Sequence, residues 1–238
     1  MGSGGPGQAG AARPPAYEAA GRRDWPAYFD RMTEQPPRKT LLAALDRFAT
    51  EGRPDGFAVD LGCGAGRDTE LLLERGWRVL ATDSSEDGLR RLMERPACRD
   101  AGGRLEVRCE PFSEAEIPDC DLVNASFSLP FCEPEHFGVL WSRIDRAIGP
   151  GGRFAGQLFG DRDSWSLLED RTHLPRREAL GLLDAYVLEL FEEEDRPTRD
   201  AASPHKHWHV FHIVARKRAV RDPSEGKTVP ADRTGARG

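Results

Sequence analysis

The sequence predicts an α/β protein with a mostly parallel sheet wound by helices on both faces, and three observations carry that reading. Five apolar strand-like runs between residues 57 and 159 are interleaved with segments of helical period, the pattern that repeated βα units impose. The first run, Phe57-Ala58-Val59-Asp60-Leu61, enters glycines at alternate positions, Gly62, Gly64 and Gly66. The second, over 77–82, ends at Asp83, which follows Gly62 by 21 positions.

In chain order, residues 1–15 read as a disordered tail, without the basic and apolar regions of a secretory signal. Residues 16–50 form a helical cap: Trp25, Tyr28, Phe29 and Met32 precede Pro36-Pro37, and Leu41, Leu42, Leu45 and Phe48 follow at helical spacing, so two helices are expected. The core domain spans 51–217. Its first helix opens on Asp68, Thr69 and Glu70, with two acids suited to a helix N-terminus. After Asp83, Ser84 or Ser85 can cap a helix carrying Leu89, Leu92 and Met93, with Asp87 completing a Ser84-x-x-Asp box. Leu105, Val107 and Cys109 alternate in a third strand that ends in Glu110-Pro111-Phe112-Ser113, and 121–127 is a fourth. Phe137, Leu140, Trp141, Ile144 and Ile148 mark one helical face, with Pro134 in its first turn and Gly149-Pro150-Gly151-Gly152 stopping it before a fifth strand over 153–159. A last helix over 175–184 and strands over 186–191 and 207–215, paired as a hairpin across a long polar loop, complete the core. Residues 218–238 read as a second disordered tail.

The glycine turn is where backbone can touch a ligand, since glycine takes positive φ at little cost and has no Cβ to hold a molecule off. Asp83 stands near the ~20-residue distance at which an acid meets ribose hydroxyls. A nicotinamide or flavin dinucleotide fingerprint needs its third glycine at position 67, which is Arg, and no Gly-Lys-Ser or Gly-Lys-Thr follows to cradle a triphosphate. A nicotinamide oxidoreductase is therefore disfavoured, and the turn suits a ligand without phosphates.

With the acid, the Gly-x-Gly-x-Gly and the second-strand acid together, the chain resembles the class I S-adenosylmethionine-dependent methyltransferases from about residue 25 to 217, and is most similar to the small single-domain tellurite-resistance and thiopurine kind. The resemblance implies a Rossmann-like doubly wound sheet of seven strands, mostly parallel with an antiparallel last strand, and S-adenosyl-L-methionine as cofactor. It assigns Asp60, Gly62, Gly64 and Gly66 to the methionine end, Asp83 to the ribose, Phe112 to the adenine, and Asn124 or Ser126 to the methionyl backbone or methyl. The adenine acid stays open between Glu110, Glu114 and a backbone contact beside Phe112. Arg67 either reaches the cofactor carboxylate or lies on the surface. The cap either covers the cofactor and substrate mouth or packs its aromatics on the sheet edge.

A formal net charge of −6 argues against binding nucleic acid by neutralising phosphates, and the fourth strand lacks the Asn-Pro-Pro-Tyr or Asp-Pro-Pro-Tyr cluster that holds an extruded base. No stretch approaches the ~20 apolar residues of a membrane span. Five cysteines, without a Cys-x-x-Cys pair and with Cys63 inside the glycine turn, fit a reducing cytoplasm. A small-molecule acceptor is expected, with neither nucleic acid nor membrane as partner. The alternative is a non-catalytic domain that binds the cofactor as a sensor or partner subunit. The run Pro204-His205-Lys206-His207-Trp208-His209-Val210-Phe211-His212 invites a metal, but it contains no acid or cysteine, and alternation puts His205, His207 and His209 on one face and His212 on the other. No metal is expected. His207 and His209 are weak catalytic candidates through an acceptor contact, against plain packing on the last strand.

Overall fold

A computed structural model describes residues 16–32, 34–198 and 206–219. The tail expected over 1–15, most of that over 218–238, and His205 lie outside the described residues. Three helices come first, α1 (Ala16–Gly21), α2 (Trp25–Met32) and α3 (Lys39–Thr50). The alternating core then runs through β1 (Phe57–Leu61), α4 (Arg67–Glu74), β2 (Arg78–Asp83), α5 (Glu86–Glu94), α6 (Pro96–Arg99), β3 (Leu105–Cys109), β4 (Cys120–Ala125), α7 (Pro134–Ala147) and β5 (Ile148–Gly160). The two-residue β6 (His173–Leu174), α8 (Arg176–Gly181), β7 (Tyr186–Pro197) and β8 (His207–Lys217) finish the sheet.

Strand order is β3-β2-β1-β4-β5-β8-β7, with β6 pairing off β5. The first five strands pair in parallel and β8 runs antiparallel between β5 and β7. This is the expected Rossmann-like architecture. Alternation along β1 divides the core: Val59 and Leu61 join the Phe137, Leu140 and Ile144 face of α7, while Ala58 joins Leu41, Leu45 and Phe48 of α3, Leu72 of α4 and Leu92 of α5.

Local chemistry sets most boundaries. Ser85, not Ser84, caps α5 by accepting the Gly88 amide at 3.1 Å, so the expected box does not form, and Asp87 pairs instead with Arg90 and Arg91. The glycines at 149–152 do not end the helix before the strand begins. They lie inside β5, where the register against β4 slips between Cys120 and Leu122 and the surplus residues bulge. The hairpin of β7 and β8 is longer than expected, paired from Tyr186↔Lys217 out to Pro197↔His207. Among the described residues no helix is long and apolar enough to cross a membrane.

Arg153 of β5 is fully buried and ties three elements together. It donates to Glu51 at the end of α3 (2.6 and 3.0 Å) and to Glu189 of β7 (2.8 and 2.9 Å), with its guanidinium 4.4 Å from the Phe48 ring centre.

Candidate active site

The carboxyl ends of β1, β2, β4 and β5 open into one cavity of about 680 Å³, where open α/β sheets hold ligands. Its two halves differ in chemistry.

The first half grows from the glycine turn. The Gly62 and Cys63 amides both donate to the Thr82 carbonyl, at 2.8 and 2.9 Å, which locks the turn onto the end of β2. Gly64 has φ +53°, and a Cβ there would stand 2.9 Å from the Phe29 ring, so backbone faces the cavity bare. Gly66 works differently: at φ +77° it starts α4, and a Cβ would strike Leu92 Cγ at 2.5 Å, so it seats α5 and is absent from the cavity wall. Gly62 is in the wall, against Ser128 and Phe112.

Asp83 lines this half with its carboxylate oriented by two amides, Gly64 N at 2.8 Å on one oxygen and Ser85 N at 2.8 Å on the other; burial raises its pKa above the ordinary carboxylate value. Glu110, Phe112 and Ser113 follow from the end of β3. Glu110 Oε1 is buried without a hydrogen-bond partner, and burial raises this acid too. Glu114 is exposed and outside the wall.

Beneath the turn lie two buried carboxylates. Asp60 accepts from Thr69 Oγ1 at 2.5 Å and from Asn124 Nδ2 at 2.8 Å. Asp68 is reached by Arg67 Nε at 2.8 Å and by Asn124 Nδ2 at 3.3 Å. Burial, then the Asp68 charge, pushes Asp60 up. Burial also acts on Asp68, but the Arg67 guanidinium overcomes it and holds that acid below its ordinary value. Asn124 is fully buried behind the wall as the link between the two acids, whereas Ser126, which donates to Asn124 Oδ1 at 3.2 Å, is in the wall. Arg67 is not a surface residue: its side chain is 15% exposed and lines the cavity. Arg38, which the sequence did not single out, joins it there. Its guanidinium stacks 4.5 Å from the Phe127 ring centre, its Nε is buried without a partner, and burial lowers its pKa.

The second half is aromatic. The cap divides here: α3 packs on the sheet, while α2 turns Trp25, Tyr28, Phe29 and Met32 into the cavity and is tied to α5 by Asp30 and Arg91 at 2.6 Å. Opposite stand Phe127 and Phe131 beyond β4, Phe159 at the end of β5, Trp165 after it, and Trp208 and Val210 of β8. Phe127 has φ +54°, held by its amide on Gln157 Oε1 at 2.9 Å, which orients its ring inward.

Trp208 and Val210 decide the histidines. Because they face the cavity, His207 and His209 point to the other side of β8, away from any molecule in it. His209 is fully buried, its Nδ1 accepting from the Arg162 amide at 3.0 Å and its Nε2 2.9 Å from Glu193, while His207 Nε2 lies 2.7 Å from Asp195. Acids absent from the histidine run thus arrive from β7, and Glu193, Asp195 and His209 gather closely enough to hold an ion. The Arg162 guanidinium already bridges them, at 2.8 Å to each acid and 3.0 Å to His209.

Residues 58–152 match a methyltransferase domain family. Trans-aconitate 2-methyltransferase of Acidovorax sp. (strain JS42) is 34% identical over 146 residues, covering 57% of this chain and 50% of that protein. The chain spans only 60% of the length of some curated relatives and 44% of others. Among solved structures, the Burkholderia thailandensis 1,6-didemethyltoxoflavin-N1-methyltransferase, determined with 1,6-didemethyltoxoflavin and S-adenosylhomocysteine bound, shares the fold with a TM-score of 0.58 and 24% identity over 90% of this chain and 94% of that one. TehB from Haemophilus influenzae does so at 0.66 and 17% identity, over 80% and 66%.

Proposed function

From the premise that residues 58–152 form a methyltransferase domain on the class I S-adenosylmethionine-dependent fold, we propose that this chain moves a methyl group from S-adenosylmethionine to a small acceptor. One observation carries the reading: the glycine turn and the aromatic chamber share a single cavity, so two molecules can meet in it.

The residues present fit the cofactor. Asp83, aimed by two amides, offers carboxylate oxygens to a ribose diol. The partnerless Glu110 Oε1 offers an acceptor to an exocyclic amine beside the flat Phe112 ring, which gives the adenine acid to Glu110 and not to Glu114. Arg38 and Arg67 place positive charge at the methionine end, above Asp60 and Asp68. When bound, S-adenosylmethionine supplies a methyl carbon on a sulfonium, whose C–S pair returns to sulfur as the acceptor's lone pair forms the new bond. The chain's own task is alignment and dryness: α2 covers the turn, the aromatic walls exclude water, and positioning of this kind is worth up to roughly 7 to 11 kcal/mol of barrier.

Acceptors the size of trans-aconitate or 1,6-didemethyltoxoflavin, named for the relatives, suit a cavity of about 680 Å³. We place the reaction in the cytoplasm, where the five free cysteines are at home. The test is a screen for S-adenosylhomocysteine release across phenols, thiols, amines and carboxylates. Turnover with any of them supports transfer. Tight cofactor binding without turnover across the panel returns the chain to the sensor or partner-subunit reading.

A further inference from the structure

We propose that the acceptor is a planar aromatic or heteroaromatic molecule that binds as its anion, ionised at the ring heteroatom or ring-attached oxygen or sulfur that takes the methyl group; this rests on the methyltransferase reading above. Trp25, Phe131, Phe159, Trp165 and Trp208 meet in sequence around the chamber with centroids 4.9, 6.1, 5.8 and 5.6 Å apart, tilted 54 to 83° where Trp25, Phe131, Trp165 and Trp208 meet their neighbours. Rings set edge to face around a space leave flat surfaces and edges for another flat ring to pack on.

Charge decides which flat ring. Behind the wall, outside the cavity, Lys206 Nζ lies 3.9 Å from the Trp165 ring centre and 4.1 Å from that of Trp208. The Arg171 guanidinium lies 5.4 and 5.1 Å from Phe131 and Trp165, and Arg23, in the wall itself, lies 5.9 Å from Phe131. An aromatic cage that recognises a cation presents its negative ring faces to the guest. Here those faces are already polarised toward cations belonging to the protein. Three cations share two acids: Lys206 is held by Asp163, while Arg23 and Arg171 both lean on Asp170 at 2.8 Å. Arg171 Nη1 is buried without any hydrogen-bond partner. Burial lowers Lys206 to about 8, which leaves it charged at neutral pH. Of the acids that reach this end of the cavity, Glu194 is paired with Arg196, and Glu133 stands at the rim, 3.6 Å from His136. Around the rings, Lys206, Arg23 and Arg171 therefore outnumber Asp163 and Asp170 by one positive charge.

Proton supply points the same way. Among the described residues the cavity wall holds a single imidazole, His136, at the rim beside Glu133 and 43% exposed. An acceptor that arrives ionised needs no base: its lone pair forms the bond to the methyl carbon, the C–S pair goes to sulfur, anion and sulfonium are both neutralised, and no proton moves.

The test is calorimetry on the full chain. It is saturated first with S-adenosylhomocysteine and then titrated with para-nitrophenolate, its neutral isostere para-nitroanisole, phenyltrimethylammonium, and trans-aconitate as a non-aromatic anion. The phenolate is expected to bind about tenfold more tightly than each of the others, the scale of one favourable desolvated ring–charge contact. In Arg171→Met the phenolate is expected to lose that advantage while para-nitroanisole binds as before, a change of selectivity that a merely structural role would not produce. If that variant does not fold, Arg23→Met is read in the same way. Equal or tighter binding of the ammonium or of trans-aconitate overturns the inference and leaves methyl transfer standing, because S-adenosylhomocysteine has already bound. Failure of S-adenosylhomocysteine to bind overturns both.

Discussion

Glu110 shows how far a single side chain can separate binding from stability. Its Oε1 is buried and unpartnered, which costs the free protein desolvation energy that a ligand amine would repay. Glu110→Ala is therefore expected to weaken S-adenosylhomocysteine by about tenfold, the scale of one hydrogen bond to a charged group, while leaving the melting temperature equal or higher. Titration calorimetry and thermal unfolding of the same variant check both halves, and a variant that loses stability but keeps affinity would remove Glu110 from the site. Asp60 gives a pH signature. Its folded pKa is raised from 3.8 to about 7, so between those values the folded chain retains a proton that the unfolded chain has released. Folded and unfolded states bind that proton equally below about pH 4, and stability falls as pH rises through the window toward 7, by up to one proton's slope. Melting temperature against pH for the ligand-free protein should show this slope, and Asp60→Asn should flatten it.

At the scale of elements, the cap is two devices joined at Arg38. The buried Leu41, Ala44, Leu45 and Phe48 of α3 belong to the sheet core, while α2 buries Phe29 on the glycine turn and spends its other aromatics on the cavity. Removing residues 1–33 is expected to preserve cooperative unfolding and abolish turnover, because the chamber then lacks its cover. Phe48→Ala should instead cost about 3 to 5 kcal/mol of stability, as truncations of buried aromatics do. Denaturant titration distinguishes the two, and full activity after the deletion would show that α2 is no lid.

Across the whole molecule, Arg153 joins the end of α3, the bulged β5 and the antiparallel β7. Replacing one member of a buried ionic cluster leaves its partners uncompensated at a cost of about 3 to 5 kcal/mol. Arg153→Met should fall near the lower end, since Glu189 keeps Arg47 at 3.4 Å and Arg216 at 3.6 Å, and Glu51 is 37% exposed and can meet water. Urea unfolding of that variant gives the number, and no loss would mean that Met packs there as well as the ion cluster does.

The amino-acid sequence by itself determined the alternation of strands and helices, the glycine turn, and the acid that ends the second strand. These rest on interactions between near neighbours, where hydrophobic period, helix capping and backbone freedom act directly. Asp60, Gly62, Gly64, Asp83, Phe112 and Ser126 sit in the cavity wall because they lie at or just beyond the carboxyl ends of strands whose direction the βα pattern fixes. Gly66 and Asn124 share that neighbourhood but face inward, one to seat Leu92 and the other to join two acids, and nothing in their spacing distinguishes the two orientations. The last strand makes the limit plainest. Alternation sorted His207 and His209 from Trp208 and Val210, but it has no sign: it cannot say which set faces the cavity. Which set faces the cavity was decided only when β8 inserted antiparallel between β5 and β7, which turned Trp208 and Val210 toward it and brought Glu193, Asp195 and Arg162 against the histidines from segments distant in the chain.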